Sequence, residues 1–212
     1  MTLRSKFEAV VDEVAKVSRA MPWEDKDFYT QWLAQQFFLV THTPRLLCSY
    51  ALQVPLKARS EFDHILYHLK EETGHDGWLL KDLQKLGTSP AEFQQHPAGA
   101  ALIKSQYYQI QFEHPITLCG YSQFLEYLSV VVAAEIAERV EKKFGPQTAI
   151  FLKGHAAVDV EHAEDGWKML VNLPAELEAR VLENLYMSAT LYVQMLGDLK
   201  SKSITPLFEK AA

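Results

Sequence analysis

The sequence predicts an all-helical single domain, a bundle of about seven helices spanning residues 1–212, and three observations lead there. Apolar residues recur at a spacing close to 3.6 nearly everywhere, and no stretch alternates in the manner of a half-buried strand. The 212 residues include only nine Gly and nine Pro, few for a many-turned sheet protein. The prolines fall mostly between the periodic segments, where they act as stops. Length and composition agree: 48% hydrophobic and 23% charged residues describe a globular chain with one sizeable core.

The first helix is expected over Thr2 to Ala20, ending before Met21-Pro22-Trp23. A second starts near Asp27, read as its N-cap, runs through Trp32, Phe37 and Leu39, meets Pro44 as a kink or break, and stops at Val54-Pro55. A third is drawn as continuous from Ser60, with Asp63 completing a weak capping box, to Leu86-Gly87. Ser89-Pro90 opens a short helix that His96-Pro97 closes, and a fourth long segment covers Ala98 to Glu113 before His114-Pro115. The fifth runs from Thr117 to Phe144-Gly145-Pro146, the sixth from Gln147 to Asn172-Leu173-Pro174, and the last from Ala175 to about Lys200.

A net charge of −6 argues against nucleic acid or an anionic membrane as partner, since neither is attracted to an acidic surface. Two cysteines, Cys48 and Cys119, make no disulfide framework, so a reducing compartment is expected. The amphipathic start lacks the apolar region of a signal peptide, and the longest apolar run, Val130 to Ala134, is short for a bilayer. The expectation is a cytoplasmic protein with no membrane and no nucleic acid among its partners.

Chemistry concentrates in three segments. Glu72 and His75 are three residues apart, so on one helix they share a face and can ligate one metal. His155, Asp159 and His162 fall at i, i+4 and i+7, a single stripe among the small or apolar Ala156, Ala157, Val158 and Val160. The fifth helix offers an acid in apolar surroundings, Glu126 or Glu135, and periodicity does not choose between them. Carboxylates and imidazoles buried together are costly unless cations join them. Such mixed ligation suits iron, with manganese as a substitute, more than calcium or a thiolate-bound metal.

In that order, Glu72-x-x-His75, Gly120-Tyr121-x-x-x-Leu125-Glu126 and His155-x-x-x-Asp159-x-x-His162 resemble the haem-oxygenase-like di-iron oxidases and oxygenases. These are relatives of thiaminase II and of the pyrroloquinoline-quinone synthesis oxidase. The resemblance spans Ser60 to Asn172 and implies a haem-oxygenase-like bundle, with Glu126 preferred over Glu135. It further implies one iron on Glu72 and His75 and a second on Asp159 and His162, with His155 and Glu126 completing the set. The activity implied is O2-dependent oxidation of a small amino-acid-derived or fatty-acid-like substrate by a pair of Fe(II) ions, in a possible homodimer.

Other readings stay open at this point. Glu72 and His75 can be a helix-surface pair, the His155 stripe a solvated polar face, and Glu126 a buried acid paired with Lys104 or Arg139. A metal-free enzyme similar to thiaminase II would use Cys119 as nucleophile. A non-catalytic protein would hold iron in the manner of a ferritin-like bundle or haem through one histidine, with His42 the one loose candidate for haem. His68, a heptad before His75, is within reach of the site but is read first as a core or surface histidine, and His96 and His114 as helix-end residues. Trp78, Tyr107, Tyr108 and Phe112 are candidate pocket walls.

Overall fold

The computed structural model describes residues 2–202. The expected domain bounds, 1–212, run past them, so Met1 and residues 203–212 lie outside the described residues. Among the described residues there are nine α-helices and no strand: α1 (Leu3–Arg19), α2 (Lys26–Val40), α3 (Thr43–Ala51), α4 (Arg59–Glu72), α5 (Asp76–Lys85), α6 (Pro97–Phe112), α7 (Leu118–Phe144), α8 (Ile150–Leu170) and α9 (Ala175–Ser201). The seven segments expected from periodicity are all helical. Two of them, the second and third, are each broken once.

The break in the second follows from Pro44, which sits in the first turn of α3, where a missing N–H is harmless. The break in the third was not anticipated. Gly74 has φ +100°, a conformation that ends α4 at Glu72 and lets α5 begin at Asp76 on a new axis. Other boundaries move by a turn or less. Asp25, not Asp27, caps α2, accepting from the Asp27 and Phe28 amides. Ser60 and Asp63 form no box, since Ala58 precedes α4 without a side-chain cap and Asp63 pairs with Arg59. The short segment after Ser89 is one turn of 3-10 helix, Pro90–Glu92, closed by a Ser89–Glu92 capping box. His96 and His114 cap the following elements, each ring Nδ1 accepting a backbone N–H.

Helix α7 is the axis of the bundle. It packs along α8, α9 and α1, while α6 leans on α9, α2 on α5 and α4 on α3. By length and composition alone Pro115–Phe144 is apolar enough to cross a bilayer, but 61% of its most apolar window is buried inside the bundle, as a central core helix requires. Gly120 permits close approach to α9: a Cβ there would lie 2.5 Å from the Val181 carbonyl oxygen. At the other end Arg139 donates to Glu24 and to the Arg19 and Met21 carbonyls, clasping the α1–α2 turn. The same turn carries Trp23, whose ring meets Phe28 and Trp32 edge-on at 5.3 and 5.1 Å.

Helix α8 starts at Ile150 rather than Gln147, and its cap comes from a distant element. Asp82 of α5, fully buried, accepts the Ile150 and Phe151 amides at 2.8 and 2.9 Å. Burial raises the Asp82 carboxyl to about 6 even though those two amides pull the other way. The native state then binds more protons than the unfolded chain between about pH 4 and 6. The stability this group contributes is therefore complete below pH 4 and lost as pH rises through 6. In Asp82→Asn one amide oxygen still caps α8 and that titration is gone. Urea unfolding should show the variant gaining on the wild type by on the order of 2 kcal/mol between pH 4 and pH 7. A constant difference across that range would refute the assignment.

Gly74 gives a second prediction. A Cβ there would touch nothing, so Gly74→Ala is penalised by backbone conformation alone. It should lower the unfolding free energy by about 1–2 kcal/mol in denaturant titrations.

Candidate metal centre

Three parts of the chain bring the sequence-derived residues to one buried point. Glu72 closes α4, His75 immediately precedes α5, Glu126 lies a third of the way along α7, and His155, Asp159 and His162 form one stripe of α8. All six have side chains that are nearly or fully buried. The Glu72 Oε2 to His75 Nδ1 distance is 3.4 Å, Glu72 Oε1 to His162 Nδ1 3.5 Å, and Asp159 Oδ1 to His162 Nδ1 3.6 Å. Asp159 meets His155 Nδ1 at 3.1 Å.

Glu72 and His75 meet, but not as a pair on one helix face. The Gly74 turn lies between them, and the proximity comes from the bend. The helix-face pair on α4 is instead His68 and Glu72, one turn apart, with His68 Nε2 3.7 Å from Glu72 and 3.3 Å from Glu126 Oε1. His68 is thus a seventh member that the sequence reading placed elsewhere. Its signal was present in the i,i+4 spacing to Glu72, and the assumption of an unbroken helix to Gly87 drew attention to His75 instead.

Two sets of donors stand close enough to share an ion. One is Glu72, His75 and His155; the other is His68, Glu72 and His162; within each, the donor atoms lie within 4.8 Å of one another. Glu72 belongs to both, so it is the natural bridging carboxylate. The decisive feature is what these groups lack. His75 Nδ1, His155 Nε2 and His162 Nδ1 are buried and have no hydrogen-bond partner. The nearby carboxylate oxygens are within ion-pair range of His75 and His162 but out of line for a hydrogen bond. A buried polar nitrogen left unmatched costs about 1–3 kcal/mol, and three in one place call for a ligand. For His155 the tautomer follows: Nδ1–H donates to Asp159, which leaves the Nε2 lone pair free to coordinate. Nitrogen and carboxylate donors in this number fit iron.

Electrostatics without a cation are strained in a consistent pattern. Burial alone would depress the His68 imidazolium, but the neighbouring charges of Glu126 and Glu72 outweigh it and push it up to about 9. Burial raises Glu126 to about 7, assisted by the like charges of Asp159 and Glu72 and only partly offset by His68 and His162. For Glu72 and Asp159 burial works upward too, yet the close imidazoles, His68 and His75 beside Glu72 and His155 and His162 beside Asp159, hold both below their usual values. His155 and His162 are raised, against their burial, by Asp159. The histidines stand in for positive charge that the acids demand.

The remaining readings are settled by position. Glu135 lies on the surface in a 2.9 Å pair with Arg19, which leaves Glu126 as the α7 acid of the cluster. Neither proposed partner of Glu126 reaches it: Arg139 is bound to Glu24 and Lys104 is exposed. Cys119 is buried and its thiol is pushed up to about 12 by burial and then by Glu126 and Glu61, the opposite of an activated nucleophile. His42 bonds Tyr107 through Nδ1 at 2.9 Å, away from the cluster. Among the candidate pocket aromatics, Trp78 stacks on the His75 ring at 4.0 Å and fixes its plane, whereas Tyr108 and Phe112 are on the surface. A partly open cavity adjoins the cluster, and His68, Glu72, Glu126, His155 and Asp159 form part of its wall.

Comparison with known proteins agrees with this architecture. A domain of unknown function with a haem-oxygenase-like fold from Shewanella denitrificans superposes with a TM-score of 0.82 at 20% identity, covering 100% of this chain and 97% of its own. A TenA homologue from Pseudomonas syringae gives 0.76 at 13% identity over 93% and 90% of the two chains. A TenA homologue from Pyrococcus furiosus gives 0.69 at 7% identity over 93% and 100%. At these identities the likeness concerns the fold, which is haem-oxygenase-like. No curated protein matches the sequence. The family model of the iron-containing redox enzymes, in contrast, matches residues 30–193, a span that takes in every member of the cluster, and the chain belongs to that family.

Proposed function

We propose that the cluster holds a pair of iron ions and that the protein is an O2-dependent non-haem oxidase or oxygenase acting on a small organic substrate. The observation that carries this reading is the set of three buried imidazole nitrogens without hydrogen-bond partners, on histidines grouped around the shared carboxylate of Glu72. Ferrous ions in such a site supply the electrons that reduce O2. Manganese fits the same donors as a substitute.

The chain's own residues have separable tasks in this scheme. Glu72 joins the two donor sets, so it fixes their separation. Asp159 keeps the His155 proton on Nδ1 and orients the ring. Trp78 stacks on His75 and also fills the space over Gly154, where a Cβ would come within 2.6 Å of the indole. Glu126 and His68, 3.3 Å apart, hold a proton between them near neutral pH, and a cation bound there would compete with that proton. The adjoining cavity is lined mainly by apolar side chains, which keeps bulk water from the reacting atoms.

Anaerobic titration of the protein with Fe(II) should load about two ions per chain. His162→Ala and Glu126→Ala should each weaken loading by more than about tenfold and abolish iron-dependent O2 uptake, with helical circular dichroism unchanged. Normal loading and uptake in either variant would remove that residue from the centre, and failure of the wild type to bind iron would overturn the proposal.

A further inference from the structure

The cavity beside the cluster follows α7. Its wall includes residues of α7 from Leu118 to Ile136, which at about 1.5 Å per residue is about 27 Å of helix axis. Glu126 lies near the middle of that length. A wall of that extent suits an extended molecule.

The chemistry of the wall is as specific as its shape. Trp23, Trp32, Leu39, Leu128, Val132 and Phe151 are representative, and no lysine or arginine lines it among the described residues. An ammonium or a phosphate group would find no fixed counter-charge there outside the cluster, and the cluster's acids repel free carboxylates. Two polar groups are nonetheless present and idle. Gln36 Nε2, from α2, and Ser18 Oγ, at the end of α1, are buried, have no hydrogen-bond partner and belong to residues of the cavity wall. The preceding Gln35 is turned the other way, accepting from the His96 amide and donating to the Gln94 carbonyl. A buried amide in an apolar wall loses about 1–3 kcal/mol unless something bonds it, and a substrate atom removes that penalty.

We infer that this cavity binds an uncharged, extended, mainly apolar substrate whose hydrogen-bond acceptor takes the Nε2–H of Gln36. The inference rests on the reading of the adjoining cluster as the reactive centre, and it narrows the substrate to neutral amphiphiles, away from zwitterionic amino-acid derivatives. Gln36 is a specificity-determining residue in this scheme and has no part in holding metal.

Binding can be read without turnover, because Trp23 and Trp32 stand in the wall and their fluorescence reports occupancy. Metal-free and Fe(II)-loaded protein are titrated with octanol, decanol, decanoate and lysine as probes. Decanol should bind, about fourfold tighter than octanol for each added methylene. Metal-free protein should bind decanoate more weakly than decanol and should not bind lysine. Gln36→Leu should weaken decanol about tenfold and leave Fe(II) loading unchanged. Val132→Trp should abolish decanol binding by filling the space. No decanol binding, equal decanol affinity in Gln36→Leu, or a preference for decanoate or lysine in the metal-free protein would overturn the inference. Because the metal-free arm needs no iron, its outcome is independent of the Fe(II) titration that tests the centre itself.

Discussion

The structure is organised around the problem of keeping three carboxylates, Glu72, Glu126 and Asp159, in a space from which water is nearly excluded. Isolated charges there would cost several kcal/mol each, and no lysine or arginine is paired with any of them among the described residues. Imidazoles do that work in their place, and they do it incompletely: protons are drawn onto His68, His155 and His162 while Glu126 is driven toward its neutral form. An arrangement built only for stability would have used apolar side chains of the same volume. The fold tolerates this cost because the surrounding core is extensive and the strain is confined to one point where α4, α5, α7 and α8 meet.

Much of this was legible in the sequence, for identifiable reasons. Helical periodicity is a local signal, so all seven segments and the His155–Asp159–His162 stripe could be read directly. The stripe lies on one helix, and its geometry is set by α-helical spacing alone. Glu126 was harder, because which of two acids on α7 faces inward depends on how the helix is rotated against its neighbours. Arg19 settles that by taking Glu135. The His68 contribution escaped because it depends on where α4 ends. A glycine inside a helical pattern is ordinarily tolerated, and only the tertiary structure shows that Gly74 adopts φ +100° and redirects the chain. The cap on α8 escaped for the same kind of reason. Asp82 and Ile150 are separated by 68 residues, and no local rule connects them.

The site and the cavity divide the labour between two kinds of wall. Acids and imidazoles from α4, the turn before α5, α7 and α8 converge about a third of the way along α7, and the apolar wall extends along that helix on both sides of the point. The haem-oxygenase-like fold supports this because α7 is long, apolar and enclosed, so a single helix presents both the acid and the lining. Fold alone would not imply the chemistry, since neighbours of very low identity share the architecture. The inward acids and unmatched imidazole nitrogens of this chain carry that argument.

The bend at Gly74 has a consequence for anyone who would copy this centre. Glu72 and His75 look in the sequence like a portable four-residue cassette, ready to be written into any designed helical scaffold. Here they belong to two rods meeting at an elbow, and their bite is set by the elbow's angle. A template with an uninterrupted rod would give the same letters a different span, and His68 rather than His75 would then be the donor that keeps its relation to Glu72. What must be transplanted is the corner.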